Sequence, residues 1–135
     1  MDFSKQIALF LDANGFGAFE EEGIGGNIFI NTLPDKPDES IGIFTTGGPP
    51  ADPRNEEVRS NIQIYIRTIP NDPRNGETKA AELINLLNGY NSKPLIDGGN
   101  YIFDVEAIQS APSNIGKDAV GRYEFSQNFT FNYQK

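Results

Sequence analysis

Polar and apolar residues alternate most regularly near the end of the chain, from Gly121 to Tyr133. Every second position holds an aromatic residue or a glutamine: Tyr123, Phe125, Gln127, Phe129, Phe131 and Tyr133. Polar residues fill the positions between them: Glu124, Ser126, Asn128, Thr130 and Asn132. Because successive side chains of a strand point to opposite faces, this pattern predicts a strand with one aromatic and one polar face. We expect the aromatic face to belong to the core.

Two segments carry apolar residues at helical spacing. The first stripe comprises Phe3, Ile7, Phe10 and Leu11, and the second comprises Ala80, Leu83, Ile84 and Leu87. Asp2 or Ser4 would cap the first helix, and Asn14 with Gly15 would end it. The first helix is short and amphipathic, so it is expected to be stable only when docked.

The boundaries of the second helix are also marked in the sequence. Asp72 is a candidate N-cap, Pro73 suits the first helical position, and Asn88-Gly89 suits the end. Gly76 weakens the first turn and shifts the predicted start toward Glu77.

Four further strands are predicted. Two apolar runs, Asn27–Leu33 and Ile41–Thr46, flank the proline-containing loop 34–40 and read as an antiparallel pair. Ile62, Ile64 and Ile66 mark a third strand. In the fourth, Tyr101, Phe103, Val105 and Ala107 alternate with Ile102, Asp104, Glu106 and Ile108. This strand would form a hairpin with Gly121–Tyr133 through a polar connection, Ser110–Val120, and the hairpin would be the spine of the sheet.

The order of these elements predicts an α+β fold. A single mixed or mainly antiparallel sheet of about five strands would carry the two helices on one face. With 135 residues and no linker or repeat, the chain is expected to form one domain, 1–135.

The amino-acid composition argues against several classes of function. Cysteine and histidine are both absent, which removes disulfides, thiolate chemistry and the usual general base near neutral pH. A net charge of -8 argues against an electrostatic grip on nucleic acid, which needs Lys and Arg. No apolar run approaches the length of a membrane helix, so we expect a soluble protein without a membrane partner.

Candidate chemistry is sparse. Asp104 and Glu106 share one strand face, but an exposed polar face explains them better than an acid–base pair. Asp35, Asp38 and Glu39 do not have the spacing of a calcium loop. Gly47-Gly48 lacks the Lys and Ser/Thr of a phosphate-binding loop. We therefore expect no enzyme activity, no cofactor and no metal.

Several blocks in order carry a family resemblance. They are Asn27–Ile30 with Leu33–Asp38, Thr46–Pro50, Ile62–Arg67, the second helix, and Pro112–Asp118 with Gly121–Ser126. Together they resemble the small phage proteins known as minor capsid or tail terminator proteins of phages with long non-contractile tails. The resemblance covers nearly the whole chain.

The resemblance implies a structural virion protein. Its subunits would form a ring, usually hexameric, that caps the tail tube, ends its polymerisation and joins it to the head connector. It implies self-association and contacts with the tail tube protein and with a connector or stopper protein, while DNA passes without specific binding. The implied location is the head–tail junction of the virion, assembled in the bacterial cytoplasm.

Two alternatives remain beside this reading: another head–tail joining component, such as a head completion or stopper protein, and a small host binding module or enzyme. Three parts of the chain could supply contacts with other subunits or partners: the long loop Thr45–Asn61, the connection 110–120 and the polar strand face. The candidate contact residues are Gly47, Gly48, Pro49, Pro50, Pro112, Ile115, Lys117, Asp118, Glu124 and Asn128.

Overall fold

The computed structural model describes residues 2–135, which form two helices and a seven-stranded sheet. The helices are α1 (Phe3–Ala13) and α2 (Pro73–Leu87). The strands are β1 (Ile28–Ile30), β2 (Ser40–Thr45), β3 (Glu57–Pro70), β4 (Lys93–Pro94), β5 (Tyr101–Ala107), β6 (Ser113–Lys117) and β7 (Arg122–Gln134). The strand order is β1-β2-β3-β7-β5-β4, and β6 also pairs with β7. The α+β prediction is confirmed, with more strands than the five expected.

The predicted aromatic strand lies at the centre of the sheet as β7. Its register with β3 runs from Glu57 opposite Gln134 to Pro70 opposite Arg122. β5 pairs with β7 as predicted, but β3 pairs with it over a longer stretch, so β3 and β7 form the spine. The aromatic face is buried: Phe125, Phe129 and Phe131 are at most 2% exposed.

Helix α1 begins and ends where the sequence indicates. The Asp2 carboxylate accepts a hydrogen bond from Lys5 N at 2.8 Å, and Asn14 N donates to Phe10 O at 3.1 Å. The helix packs on β1 and β2. The Phe3 ring stacks on Tyr133 with centroids 3.9 Å apart, which docks the start of α1 on the end of β7.

Helix α2 packs on β3, β5 and β7 and begins at Pro73, four residues before Glu77. Asp72 caps it by accepting from Asn75 N at 3.3 Å. Gly76 is buried at the closest approach of α2 to the sheet, where an added Cβ would lie 2.6 Å from Cε2 of Phe125. The glycine therefore belongs inside the helix because the sheet leaves no room for a side chain.

The antiparallel prediction for β1 and β2 is wrong, because the two strands are parallel. Ile28, Phe29 and Ile30 lie beside Ile41, Gly42 and Ile43 in the same direction. β1 has only three residues, so the connection 31–39 is long enough to return the chain to the start of β2.

Two further corrections concern the segment 101–120. A bulge between Ile102 and Asp104 places Ile102 in the core with Val105 and leaves Tyr101 and Phe103 more than 40% exposed, against the predicted alternation. The polar connection contains β6, which pairs with the first residues of β7. A bulge at Ile115 and the few apolar residues of β6 explain why its periodicity does not mark a strand.

Candidate functional site

The face of the sheet opposite the helices has no helix or strand packed over it within residues 2–135. Both helices contact the face that carries the aromatic core, so the polar positions of β7 point to the other side. Glu124, Asn128 and Thr130 are half-buried there, while Ser126 is buried and accepts a hydrogen bond from Gln63 Nε2 at 2.9 Å. We call this surface the open sheet face.

An apolar groove crosses the open sheet face. Phe44 of β2 and Tyr65 of β3 form its floor, with their rings in edge-to-face contact at 5.3 Å. Leu33 lines one side, and Ile115 and Glu124 line the other. Ile115 stands on the β6 bulge and is 51% exposed. The groove therefore combines aromatic carbon, an exposed aliphatic side chain and one carboxylate.

Arg122 anchors one end of this face. Its guanidinium is buried and donates from Nη2 to Asp35 Oδ1 at 2.8 Å and from Nε to Asp118 Oδ2 at 2.7 Å. Nη1 contacts Asp38 Oδ1 at 3.2 Å. The hydrogen bonds that Arg122 donates to Asp35 and to Asp118 raise the pKa of Arg122, although desolvation opposes them. Three carboxylates from two loops thus converge on one cation.

Arg67 lies beside Arg122 and is 3% exposed. Its guanidinium donates to main-chain oxygens of the loop 34–40: to Pro34 O at 2.6 Å, Pro37 O at 2.7 Å and Asp38 O at 2.9 Å. Burial, followed by the charge of Arg122, lowers the pKa of Arg67. Together the two arginines fix the loop against the sheet, and this loop continues directly from Leu33 at the groove.

Two carboxyl groups of this cluster have lowered pKa values. For Asp38 the hydrogen bond from Lys36 is the main cause, and the charge of Arg122 adds to it against desolvation. For Asp118 desolvation raises the pKa, but hydrogen bonds from Arg122 and Val120 outweigh it. The cluster is therefore most stable with its carboxylates ionised.

Four of the predicted contact residues lie in the part of the β6–β7 hairpin where the two strands pair, or in its turn. Ile115 and Glu124 line the groove, and Lys117 is exposed on β6. Asp118 begins the turn, where its carboxylate accepts from Val120 N at 3.1 Å as well as from Arg122. The structure therefore brings Ile115 and Glu124 together and gives Asp118 a role inside the fold.

The other predicted contact residues lie elsewhere. Gly47, Gly48, Pro49 and Pro50 are exposed in the loop 46–56, where Asn61 N donates to Gly47 O at 2.6 Å. Gly48 lies against the carbonyl oxygen of Arg59, which excludes a Cβ at that position. Pro112 precedes β6, and Asn128 lies farther along β7, where its N–H donates to Gln109 Oε1 at 2.7 Å.

Sequence reasoning missed Leu33, Phe44 and Tyr65 as groove residues. The sequence does mark the two aromatic residues, because each follows a core isoleucine and therefore occupies a position on the polar face of its strand. No comparable signal marks Leu33, whose position depends on the loop held by Arg67.

The acidic candidates have structural partners. Asp35 and Asp38 pair with Arg122, and Glu39 lies 3.5 Å from Lys79 Nζ. Asp104 accepts a hydrogen bond from Asn132 Nδ2 on the open sheet face. Among the described residues, no three His, Cys, Asp or Glu side chains converge as a metal site.

A family model described as "Bacteriophage tail terminator protein" matches residues 10–135, nearly the whole chain. No curated protein matches the sequence. None of the helices within residues 2–135 is long and apolar enough to cross a membrane. The matched family consists of structural proteins of the phage virion. The chain therefore belongs to the bacteriophage tail terminator protein family.

Proposed function

We propose that this protein is a ring-forming subunit that caps the phage tail tube, ends its polymerisation and joins it to the head connector. The observation that carries the proposal is the family match over residues 10–135. The ring would be hexameric, assembled in the bacterial cytoplasm and placed at the head–tail junction.

The surface chemistry supports a role in assembly. The open sheet face holds an apolar groove without a covering layer in residues 2–135, and uncovered apolar surface is typical of protein contacts. The groove residues Ile115 and Glu124 and the exposed loop from Gly47 to Pro50 are the proposed contact surfaces. Pro112 and Lys117 lie at β6, and Asn128 lies farther along β7, while Asp118 holds the hairpin in shape.

The charge of the chain supports passage of DNA through the ring. With a net charge of -8, carboxylates outnumber Lys and Arg by 19 to 11. A bore lined by such a surface would repel phosphates, so DNA would pass without binding.

The test is a size analysis of the protein alone and mixed with the tail tube protein of its phage. We expect tubes whose growth stops when the protein is added, with the protein retained at stoichiometry far below that of the tube subunit. A protein that stays monomeric and leaves tube growth unchanged would contradict the proposal. Binding to the portal or connector but not to tubes would instead identify another head–tail joining component.

A further inference from the structure

We propose that neighbouring subunits contact one another head to tail through opposite edges of the sheet. In this contact the segment Glu20–Gly26 of one copy lies against β6 and the groove of the next copy. The inference rests on the proposed function, since it names the surfaces by which the ring subunits would associate.

The β6 edge differs from the edges at β1 and β5, and the two-residue strand β4 pairs with β5 alone. At β1, Ala18 O accepts from Asn27 N and Ile28 N. At β5, Gly89 N donates to Val105 O at 2.8 Å, and Asn88 Oδ1 accepts from Ala107 N at 3.0 Å. Within residues 2–135, β6 pairs with β7 alone. An edge strand without a neighbour is a surface for a segment of another chain.

The side chains of β6 add apolar and charged contacts to this edge. Ile115 is 51% exposed and borders the groove formed by Phe44 and Tyr65. Lys117 is exposed and makes no ion pair among the described residues. This edge therefore offers an apolar anchor site at the groove. It also offers a cation without an ion pair, opposite Tyr123 on the helix side of the sheet.

The segment Glu20–Gly26 has the complementary features. Ile24 is 83% exposed, the highest exposure among the large apolar side chains of the described residues. Three glutamates precede it, of which Glu21 pairs with Lys5 at 2.5 Å, whereas Glu20 and Glu22 have no ion pair among residues 2–135. The exposed isoleucine matches the apolar groove, and the free carboxylates match the free ammonium on the same edge strand.

The positions of the two surfaces fit a head-to-tail contact. Glu20–Gly26 adjoins β1 at one edge of the sheet, and β6 lies beyond β7 on the opposite side of β3. Four strand spacings of about 4.8 Å separate β1 from β6, so one subunit can use both surfaces at once. A contact between two different surfaces repeats from copy to copy, and it closes into a ring when the rotation allows.

Glu124 constrains how the segment lies. It lines the groove and would repel the three glutamates, so we place Ile24 in the groove and the free carboxylates beside Lys117.

The absence of cysteine from the sequence allows a clean cross-linking test. We expect an Ile24→Cys chain mixed with an Ile115→Cys chain to form disulfide-linked dimers under mild oxidation, on tail tubes as well as in solution. Each single variant alone should stay largely unlinked, and the double variant should give a ladder that ends at the ring size. Ile108→Cys, at a position that is 60% exposed and outside this contact, is the matched control.

Charge reversal tests the same contact independently. Lys117→Glu, or Glu20→Lys combined with Glu22→Lys, should weaken association by about tenfold or more, and joining both changes should restore it. Sedimentation velocity, and the amount of protein bound to tube ends, measure this. The interface would be wrong if the protein still assembled and capped tubes without forming an Ile24–Ile115 link and without any effect of charge reversal. That outcome would leave the proposed function intact. Failure of the unaltered protein to assemble or to cap tubes would overturn both.

Discussion

Gln127 is a fully buried glutamine whose side-chain amide has no hydrogen-bond partner within residues 2–135. It occupies a core position of β7, opposite Ile64. A buried polar group without a partner costs about 1–3 kcal/mol. We expect Gln127→Met, which keeps the length of the side chain, to raise the free energy of unfolding by about 1–2 kcal/mol in urea titrations.

Gln6 is the matched control for this prediction. It is 2% exposed, but its Nε2 donates to Asn100 Oδ1 at 2.7 Å and its Oε1 accepts from Asn100 N at 2.9 Å. Gln6→Met should therefore lower the free energy of unfolding by about 1–3 kcal/mol. Equal signs for the two substitutions would show that burial alone, rather than missing hydrogen bonds, decides the effect.

Asp118 is a second residue with a measurable signature. Its pKa is lowered from the usual 3.8 by the hydrogen bonds of Arg122 and Val120, which outweigh the desolvation that raises it. A lowered folded-state pKa contributes stability above the unfolded-state value, and this stability is lost as the pH falls through the folded-state value. We expect the unfolding free energy of the unaltered protein to decrease as the pH is lowered below about 4.

The variant Asp118→Asn lacks this titration. It should be less stable than the unaltered protein at pH 7, and the two should converge as the pH falls through the folded-state pKa of Asp118. Asp97→Asn, which changes an exposed carboxylate outside the cluster, should leave the free energy of unfolding at pH 7 nearly unchanged. Urea titrations at a series of pH values measure the free energy of unfolding of each protein. A difference between Asp118→Asn and the unaltered protein that does not change with pH would refute a lowered pKa for Asp118.

At the scale of the element, Gly76 decides how closely α2 approaches the sheet. Replacing a helical glycine by alanine normally stabilises by about 1 kcal/mol. Here the added methyl group would press on Thr68 and on the ring of Phe125, and overpacking of this kind costs about 1–3 kcal/mol. We expect Gly76→Ala to lower the melting temperature, whereas Thr78→Ala on the exposed side of α2 should raise it slightly. A higher melting temperature for Gly76→Ala would show that the sheet can yield.

The elements that the sequence predicts well are those with long periodic patterns. The apolar residues of both helices and of Gly121–Tyr133 keep a regular spacing over three or more helical turns or strand repeats. The buried face of each element can therefore be predicted from the sequence alone. β6 and the inward face of β5 escape prediction because a bulge breaks the alternation in each. The direction of β1 also escapes, because three residues and a nine-residue connection permit either orientation.

The candidate site is harder to predict than the fold. Ile115 and Glu124 are recognisable from the blocks that carry the family resemblance, and the structure places both at the groove. The arginine cluster depends on contacts between Arg67, Arg122 and a loop about thirty to ninety residues distant in the chain. No local pattern encodes such contacts, which is why the sequence predicts the segment 34–40 only as a proline-containing loop.

At the scale of the whole molecule, the fold has one covered and one open side. Both helices pack on the aromatic face of the sheet, while the groove, β6 and the arginine cluster lie on or around the other face. This division separates stability from assembly. Substitutions at exposed groove positions should therefore impair association without lowering the melting temperature of the subunit.

Ile115→Ser tests this separation. Because Ile115 is half exposed, its removal should change the melting temperature little, and we expect binding to tube ends to fall by about tenfold or more. Ile102→Ser, at a fully buried position of β5, should instead lower the melting temperature. The two measurements together distinguish a contact residue from a core residue.

The most direct test of the central proposal is electron microscopy of tubes assembled from the tail tube protein with and without this protein. We expect a ring of this protein at one end of each tube and tubes that no longer lengthen. Tubes that continue to grow with both ends bare, in the presence of excess folded protein, would contradict it.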